Sequence, residues 1–350
     1  MDITDAALEG KELRWKVSSI GALFLFGGMA MKAIVIDEIG SFSLREVGIP
    51  GPAEGEALIK VSVTGLCRTD LKIIRTGHRD LTLPRIPGEE VVGTISRLGS
   101  GMHKFAEGQR VYLYPGTSCG ACPQCIGRAE NLCRSMRIMG FHRDGGFAEY
   151  VIAPVKSLIP VPDSISDDEA VFTEPLSCCL NALELARPLR GEHIGIWGGG
   201  PAGTLLKRAS EALGCRPMVV ERDERRRALI NGHTAPPEEV NVAVVAVGDA
   251  EAYREALQCL SPRGRLVVFS GLPKDGASLP VDFNSLHYHE HTITGAYGCS
   301  YHHGKLAMDM IRTGQVRVRD MISHRMALEE LDAALGIVER REGMKILLYP

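Results

Sequence analysis

The stretch "HIGIWGGGPAGTLLKRASEALGCRPMVVERDERRRALI", residues 193–230, constrains the fold more than any other part of the chain. "HIGIW" reads as a strand, "AGTLLKRASEAL" has helical spacing, and between them Gly198, Gly200 and Gly203 form G-x-G-x-x-G. "PMVVE" predicts a second strand that ends in Glu221, 23 residues after Gly198. In such a unit the first glycine makes the tight turn and the second leaves room for a pyrophosphate. The third lets the helix approach the strand, while the helix N-terminus faces the phosphates. Two further apolar runs, "NVAVVAV" at 241–247 and "GRLVVFSG" at 264–271, are continuous rather than alternating. That pattern belongs to parallel strands covered on both faces, so a doubly wound α/β sheet that binds a dinucleotide is expected. Glu221 can accept hydrogen bonds from a ribose diol and would repel a 2′-phosphate. NAD is therefore expected over NADP, a preference that Arg222 beside it weakens.

Ahead of this unit the texture is β-rich: "KAIVID", "EALIKVSVTG", "VVGTISRLG", "QRVYLY" and "FAEYVIAP" are separated by glycines, prolines and charges. "EPLSCCLNALELA", 174–186, changes to a helical pattern with Leu176, Leu180, Leu183 and Ala186 on one face. With 350 residues, 45% hydrophobic, the chain is long enough for two cores. A formal charge of −3 excludes a global positive field for nucleic acid, and "RRR" at 225–227 reads as a solvated helix face. The apolar run "IGALFLFGGMA", 20–30, is too short to span a bilayer, and no cleavage site follows it. "MKAIVID" from Met31 reads as the first strand, which leaves residues 1–30 as an extension or an over-long start.

Four of the ten cysteines lie within fifteen residues: Cys119, Cys122, Cys125 and Cys133, spaced C-x2-C-x2-C-x7-C. Four thiolates at this spacing suit a tetrahedral structural zinc, and an iron–sulfur cluster uses comparable ligands. The clustering favours a reducing, cytoplasmic compartment over disulfides. Cys67, Glu89–Glu90 and Glu174 stand apart, and each alone has an ordinary structural reading: a small buried hydrophobe, an acidic turn, a helix N-terminal carboxylate.

The stretches "GLCRTD", "PRIPGEEVVG", "GTSCGACPQCIGRAENLC", "DGGFAEYV", "TEPLSCCLNAL", "GGGPAG" and "HYHEHTITGAYG" together resemble the zinc-dependent medium-chain dehydrogenase/reductase family, nearer its sorbitol, polyol-phosphate and threonine dehydrogenase branch. The resemblance spans both expected domains and leaves out the first thirty residues. It implies a GroES-like β-rich catalytic domain (31–177 and 308–350, with the structural zinc loop) and a Rossmann-type NAD-binding domain (178–307). It also implies two zinc ions per chain, the second held in the cleft between domains by a cysteine, a histidine and a third ligand.

Position by position those ligands are Cys67, Glu89 in place of the histidine, and Glu174. Glu90 matches an acidic residue that can approach the metal from behind, and Thr69 a hydroxyl that hydrogen-bonds the substrate alcohol. The further relay histidine is absent, with Lys72 in its neighbourhood. Residues expected along the dinucleotide are Gly198, Gly200, Pro201, Ala202, Gly203, Glu221, Arg222, Val247, Ser270 and Gly271. The implied reaction is reversible NAD-dependent oxidation of a secondary alcohol, on a polyol, sugar, sugar phosphate or aminocyclitol, by a homodimer or homotetramer acting away from membranes and nucleic acid. Arg68, Lys72, His78 and Arg79 are candidates for substrate hydroxyls or phosphate. Alternation in "HYHEH", 287–291, predicts an extended edge. A metal-independent reductase of the same fold and a non-catalytic NAD-binding descendant are the competing readings. Retention of both Cys67 and Glu174 argues against the first.

Overall fold

Alternating and continuous apolar runs build two large sheets, as their periods require, beside two small two-stranded ones. The computed structural model describes residues 25–101, 104–273, 276 and 278–350, so most of the expected N-terminal extension lies outside the described residues. The first part runs β1 (Leu25–Glu38), β2 (Ser41–Pro50), β3 (Glu56–Leu66), α1 (Arg68–Arg75), β4 (Glu90–Leu98), β5 (Arg110–Leu113), β6 (Gly116–Thr117), α2 (Pro123–Ile126), β7 (Arg137–Ile138), β8 (Tyr150–Pro154), β9 (Leu158–Pro160), α3 (Asp167–Ala170) and α4 (Thr173–Ala186). The glycine-turn unit follows as β10 (His193–Trp197), α5 (Pro201–Ala212), β11 (Arg216–Val220), α6 (Glu224–Ile230), β12 (Val240–Val245), α7 (Ala250–Gln258), β13 (Leu260–Val268), α8 (Phe283–His289), β14 (Thr292–Gly295) and α9 (Tyr301–Arg312). The chain then returns through β15 (Ile322–Ala327), α10 (Leu331–Glu339) and β16 (Lys345–Tyr349).

β10–β14 form a five-stranded parallel sheet in the order β11-β10-β12-β13-β14. The order reverses direction between β10 and β12, which opens a crevice at the carboxyl ends of these strands. The other large sheet has the order β15-β16-β3-β4-β5-β9, with β8 on β3, and the two small ones pair β1 with β2 and β6 with β7. β16 pairs antiparallel with β3, Ile346 opposite Leu66, so the last residues of the chain sit beside Cys67.

α4 stands between the sheets. Its Leu176, Leu180 and Leu183 belong to one continuous core that includes Val63 and Val92 on one side and Ile194 and Val244 on the other. Each such buried leucine contributes about 1.5–3 kcal/mol, and the shared core fixes the two halves against one another.

Two local expectations change. β1 begins at Leu25, upstream of Met31, and pairs with β2 through an irregularity between Leu25 and Ala30. "HYHEH" is not extended: His287 and His289 close helix α8, which Asp282 caps by accepting from Asn284 N at 2.9 Å. Glu290 then ends the helix in the left-handed region, φ 53°. Alternating histidines are not alternating apolar residues, so no buried face was available to hold a strand; the local cap decides instead.

A candidate interdomain metal and dinucleotide site

Cys67 caps α1 where β3 ends, its backbone N donating to Asp70 Oδ2 at 3.0 Å. β4 is antiparallel to β3 with Glu90 opposite Gly65, which brings the preceding Glu89 back to the same end. Cys67 Sγ and Glu89 Oε1 are 3.9 Å apart. Successive strand residues face opposite ways, and Glu90 accordingly turns inward. Both its oxygens accept from Lys345 Nζ, at 2.7 and 2.6 Å, in a pair only 1–2% exposed. Gly65 makes room for it, since a Cβ there would lie 1.9 Å from Glu90 Oε2. Glu90 is thus occupied by an ammonium rather than left free behind a metal.

Glu174 sits on the first turn of α4, where the helix dipole favours a carboxylate. Its Oε1 accepts from Cys178 Sγ, one turn along, at 3.4 Å. Among the described residues, two sets of three or more metal-ligating side chains bring one ligand atom each within 4.8 Å of the others. They are the four-cysteine loop and Glu174, Cys178 and Cys299. Cys67, Glu89 and Glu174 do not close to that spacing. Cys178 and Cys299 were missed in the sequence. The i, i+4 spacing from Glu174 pointed to Cys178, whereas nothing local points to Cys299.

The pocket holds more acid than base. Burial pushes the Glu89 carboxyl well above its ordinary range, and the charges of Glu174, Asp70 and Glu90 push further. Glu174 is pushed up to about 8 by burial and then by Glu90, and Asp70 to about 6 by burial with Glu90 adding. The Cys67 thiol rises well above its usual value through burial, then Asp70, Glu90 and Glu89. Four carboxyl groups and a thiol facing one lysine form an environment that a divalent cation stabilises, and Cys with Glu oxygen is a donor set that zinc accepts. Thr69 lies half-buried on the first turn of α1, two residues from Cys67. Arg68, Lys72 and Arg79 are exposed, and His78 is half-buried, edge-on to Phe141.

The four-cysteine loop closes on itself. Sγ separations are 3.4 Å (Cys122–Cys125), 3.5 Å (Cys119–Cys133), 3.8 Å (Cys122–Cys133) and 3.9 Å (Cys119–Cys125). A tetrahedral zinc with its usual zinc–sulfur distance places sulfurs about 3.8 Å apart. Backbone N–H groups of Ala121 and Cys122 pull the Cys119 thiol down to about 6, toward the thiolate that a metal needs.

Across the crevice, Gly198 follows β10 with φ 106°, its N donating to Val220 O at 2.9 Å. A Cβ on Gly203 would lie 1.8 Å from Gly198 O, so only glycine permits this helix–strand approach. Gly200 caps α5 and Pro201 occupies its first turn. Glu221 Oε2 accepts from Gly199 N at 2.7 Å, which sets its carboxylate beside the glycine turn. Arg222 is held away by Asp249 (3.1 Å) and Glu255 (2.8 Å). Val247 lies against Gly198, and Ser270 and Gly271 follow β13 on the same rim. Ala202 O accepts from Cys179 Sγ at 3.5 Å, which ties α5 to α4.

Arg226 corrects the solvated-face reading of "RRR". It is half-buried, its guanidinium 3.6 Å from where a Gly200 Cβ would stand, and its Nε has no hydrogen-bond partner among the described residues.

Residues 53–163 match the alcohol dehydrogenase GroES-like domain model and residues 230–313 the zinc-binding dehydrogenase model. A zinc-type alcohol dehydrogenase-like protein of Haemophilus influenzae is 30% identical over 329 residues, 87% of this chain and 94% of that protein. An L-threonine 3-dehydrogenase of Xanthomonas campestris pv. campestris is 27% identical over 342 residues, covering 91% and 99%. Among solved structures, a zinc-binding dehydrogenase of Sinorhizobium meliloti 1021, bound to NADP, superposes with a TM-score of 0.86 at 30% identity, covering 92% of this chain and all of that one.

Proposed function

Because the chain belongs to the zinc-dependent medium-chain dehydrogenase/reductase family, and is a nicotinamide-dependent dehydrogenase, we propose that it reversibly oxidises a secondary alcohol on a polar polyol, sugar, sugar phosphate or aminocyclitol. NAD is the preferred dinucleotide. Helix α4 carries this reading: Glu174 faces the acidic pole, and Cys179 on the same helix contacts Ala202 of the glycine-turn helix. One rigid element therefore ties the metal pole to the dinucleotide crevice. The relative that acts on L-threonine supports a polar substrate.

Cys67, Glu89 and Glu174 are the residues we assign to the catalytic zinc, and the four-cysteine loop to a structural one. When bound, the metal supplies Lewis-acid stabilisation of negative charge on the substrate oxygen, and the nicotinamide accepts the hydride. Thr69 orients the substrate hydroxyl and passes its proton outward. Glu90 is tied to Lys345 and acts on the pole only through its field. Cys67, Glu89 and Glu174 bring about −3 to a +2 ion, so charge stabilisation is weaker than with a neutral imidazole at 89.

At the dinucleotide pole, Glu221 accepts the adenosine ribose hydroxyls and Arg226 meets the pyrophosphate. Arg222, the residue next to Glu221, is engaged by Asp249 and Glu255 rather than left to receive a 2′-phosphate. The edge strand β14, with Thr292 and Ile293 exposed, suits pairing with a second copy as a homodimer. No described helix is long and apolar enough to cross a membrane, and cysteines left as thiols suit the cytoplasm.

Metal analysis tests the core of the proposal: about two ions per chain are expected, and a single ion, accounted for by the four-cysteine loop, would remove the catalytic metal. Glu89→His should keep or tighten the second ion, and looser binding contradicts Glu89 as a ligand. Initial rates with NAD on polyols, sugar phosphates and aminocyclitols identify the substrate; turnover confined to simple aliphatic alcohols sinks the polar-substrate assignment.

A further inference from the structure

We propose that Glu174, Cys178 and Cys299 form a second metal station, for a zinc-like thiophilic divalent cation, that joins the two halves of the molecule. It shares Glu174 with the Cys67–Glu89 pole, so one ion occupies one station or the other. The three donors come from two separately anchored elements. Glu174 and Cys178 lie one turn apart on α4, whose inner face is packed into the shared core. Cys299 lies in the loop between β14 and α9 and is buried. Three contacts fix that loop: Tyr114 hydroxyl donates to Cys299 O at 2.8 Å, Asn181 Nδ2 to Gly298 O at 2.9 Å, and Ser300 caps α9.

The donor spacing has the right size. Glu174 Oε1 and Cys178 Sγ are 3.4 Å apart, and all three ligand atoms lie within 4.8 Å. A tetrahedral zinc places sulfur and oxygen ligands about 3.5 Å apart and two sulfurs about 3.8 Å apart. Three protein ligands leave a fourth position open, as in catalytic rather than structural zinc sites. Two thiolates and a carboxylate also hold a soft ion better than the one thiolate and two carboxylates of the neighbouring pole. The station therefore competes for the ion on favourable terms. Because Cys299 follows β14 at the carboxyl edge of the parallel sheet, an ion held there bridges α4 to the dinucleotide side of the crevice.

Cobalt exchanged into the full-length protein under reducing conditions distinguishes the stations through thiolate-to-cobalt absorption and ions bound per chain. The four-cysteine loop contributes a constant band. Cys178→Ser and Cys299→Ser should each remove roughly half of the remaining thiolate absorption, as expected when two thiolates become one, while Cys67→Ser, which disables only the neighbouring pole and drives the shared ion to the station, keeps or raises it. The opposite pattern, loss with Cys67→Ser and no change with the other two, overturns the station and leaves the proposed function standing. Absence of any second ion overturns both. Cadmium-113 resonance on the unmutated protein guards against misfolded variants: a second signal in the two-thiolate range is expected, and a one-thiolate signal contradicts the assignment.

Discussion

Glu89 and Glu90 are neighbours in the chain and face different partners, because entry into a strand turns successive side chains to opposite sides. Glu89 meets Cys67; Glu90 meets Lys345, and that ion pair is buried. Removing one partner strands a charge away from water, which costs far more than the pair itself contributes. Lys345→Met should lower the unfolding free energy by about 3–5 kcal/mol, and adding Glu90→Gln should restore much of the loss. Urea unfolding of the two variants checks this; equal destabilisation by the single and double variants would contradict it. The acidic doublet was legible in "PGEEVVG", but its inward partner was not. Lys345 lies 255 positions away on a strand whose neighbour only the sheet specifies.

At the level of elements, the strand–turn–helix unit was the most legible part of the molecule, since each glycine answers a local steric demand. Gly203 shows how narrow that demand is, with Gly198 O where a Cβ would go. Gly203→Ala must push α5 off β10, so a loss of about 1–3 kcal/mol is expected, together with a raised KM for NAD. Calorimetry and initial-rate kinetics measure the two effects. Glu221→Ala leaves the unit folded but removes the ribose acceptor. NAD should bind roughly 10- to 100-fold more weakly, and NADP should lose less, read by fluorescence titration with each dinucleotide. The helix α6 residue Arg226 escaped the sequence reading because a basic run looks solvated. Its burial depends on how α6 lies across the glycine turn, which periodicity does not encode.

For the molecule as a whole, the four-cysteine loop has a role that its spacing alone did not disclose. Asn131 donates to Tyr297 O at 2.7 Å, and Glu130 accepts from Tyr301 N, so the loop reaches the segment that carries Cys299. Cys122→Ser should release this tether and lower Tm by roughly 3–4 °C, the size of about 2–3 kcal/mol in a chain of this length. NAD affinity should change little, because the glycine turn is supported separately by β10 and α5. Differential scanning calorimetry with a parallel NAD titration tests the division. An unchanged Tm would deny the loop its bracing role.

Adjacent residues settle the glycine turn, the continuous strands of a parallel sheet, the helical face of 174–186, and the close spacing of four cysteines in one loop. These follow from backbone sterics, side-chain period and ligand reach, all of which act over a few residues. Long-range packing alone sets Lys345 against Glu90, turns Arg226 to the glycine loop, and gathers Cys178 and Cys299 around Glu174. Those pairings join segments far apart in the chain. They exist because α4 packs between two sheets and because β16 returns to β3, burying charges that must then find partners near at hand.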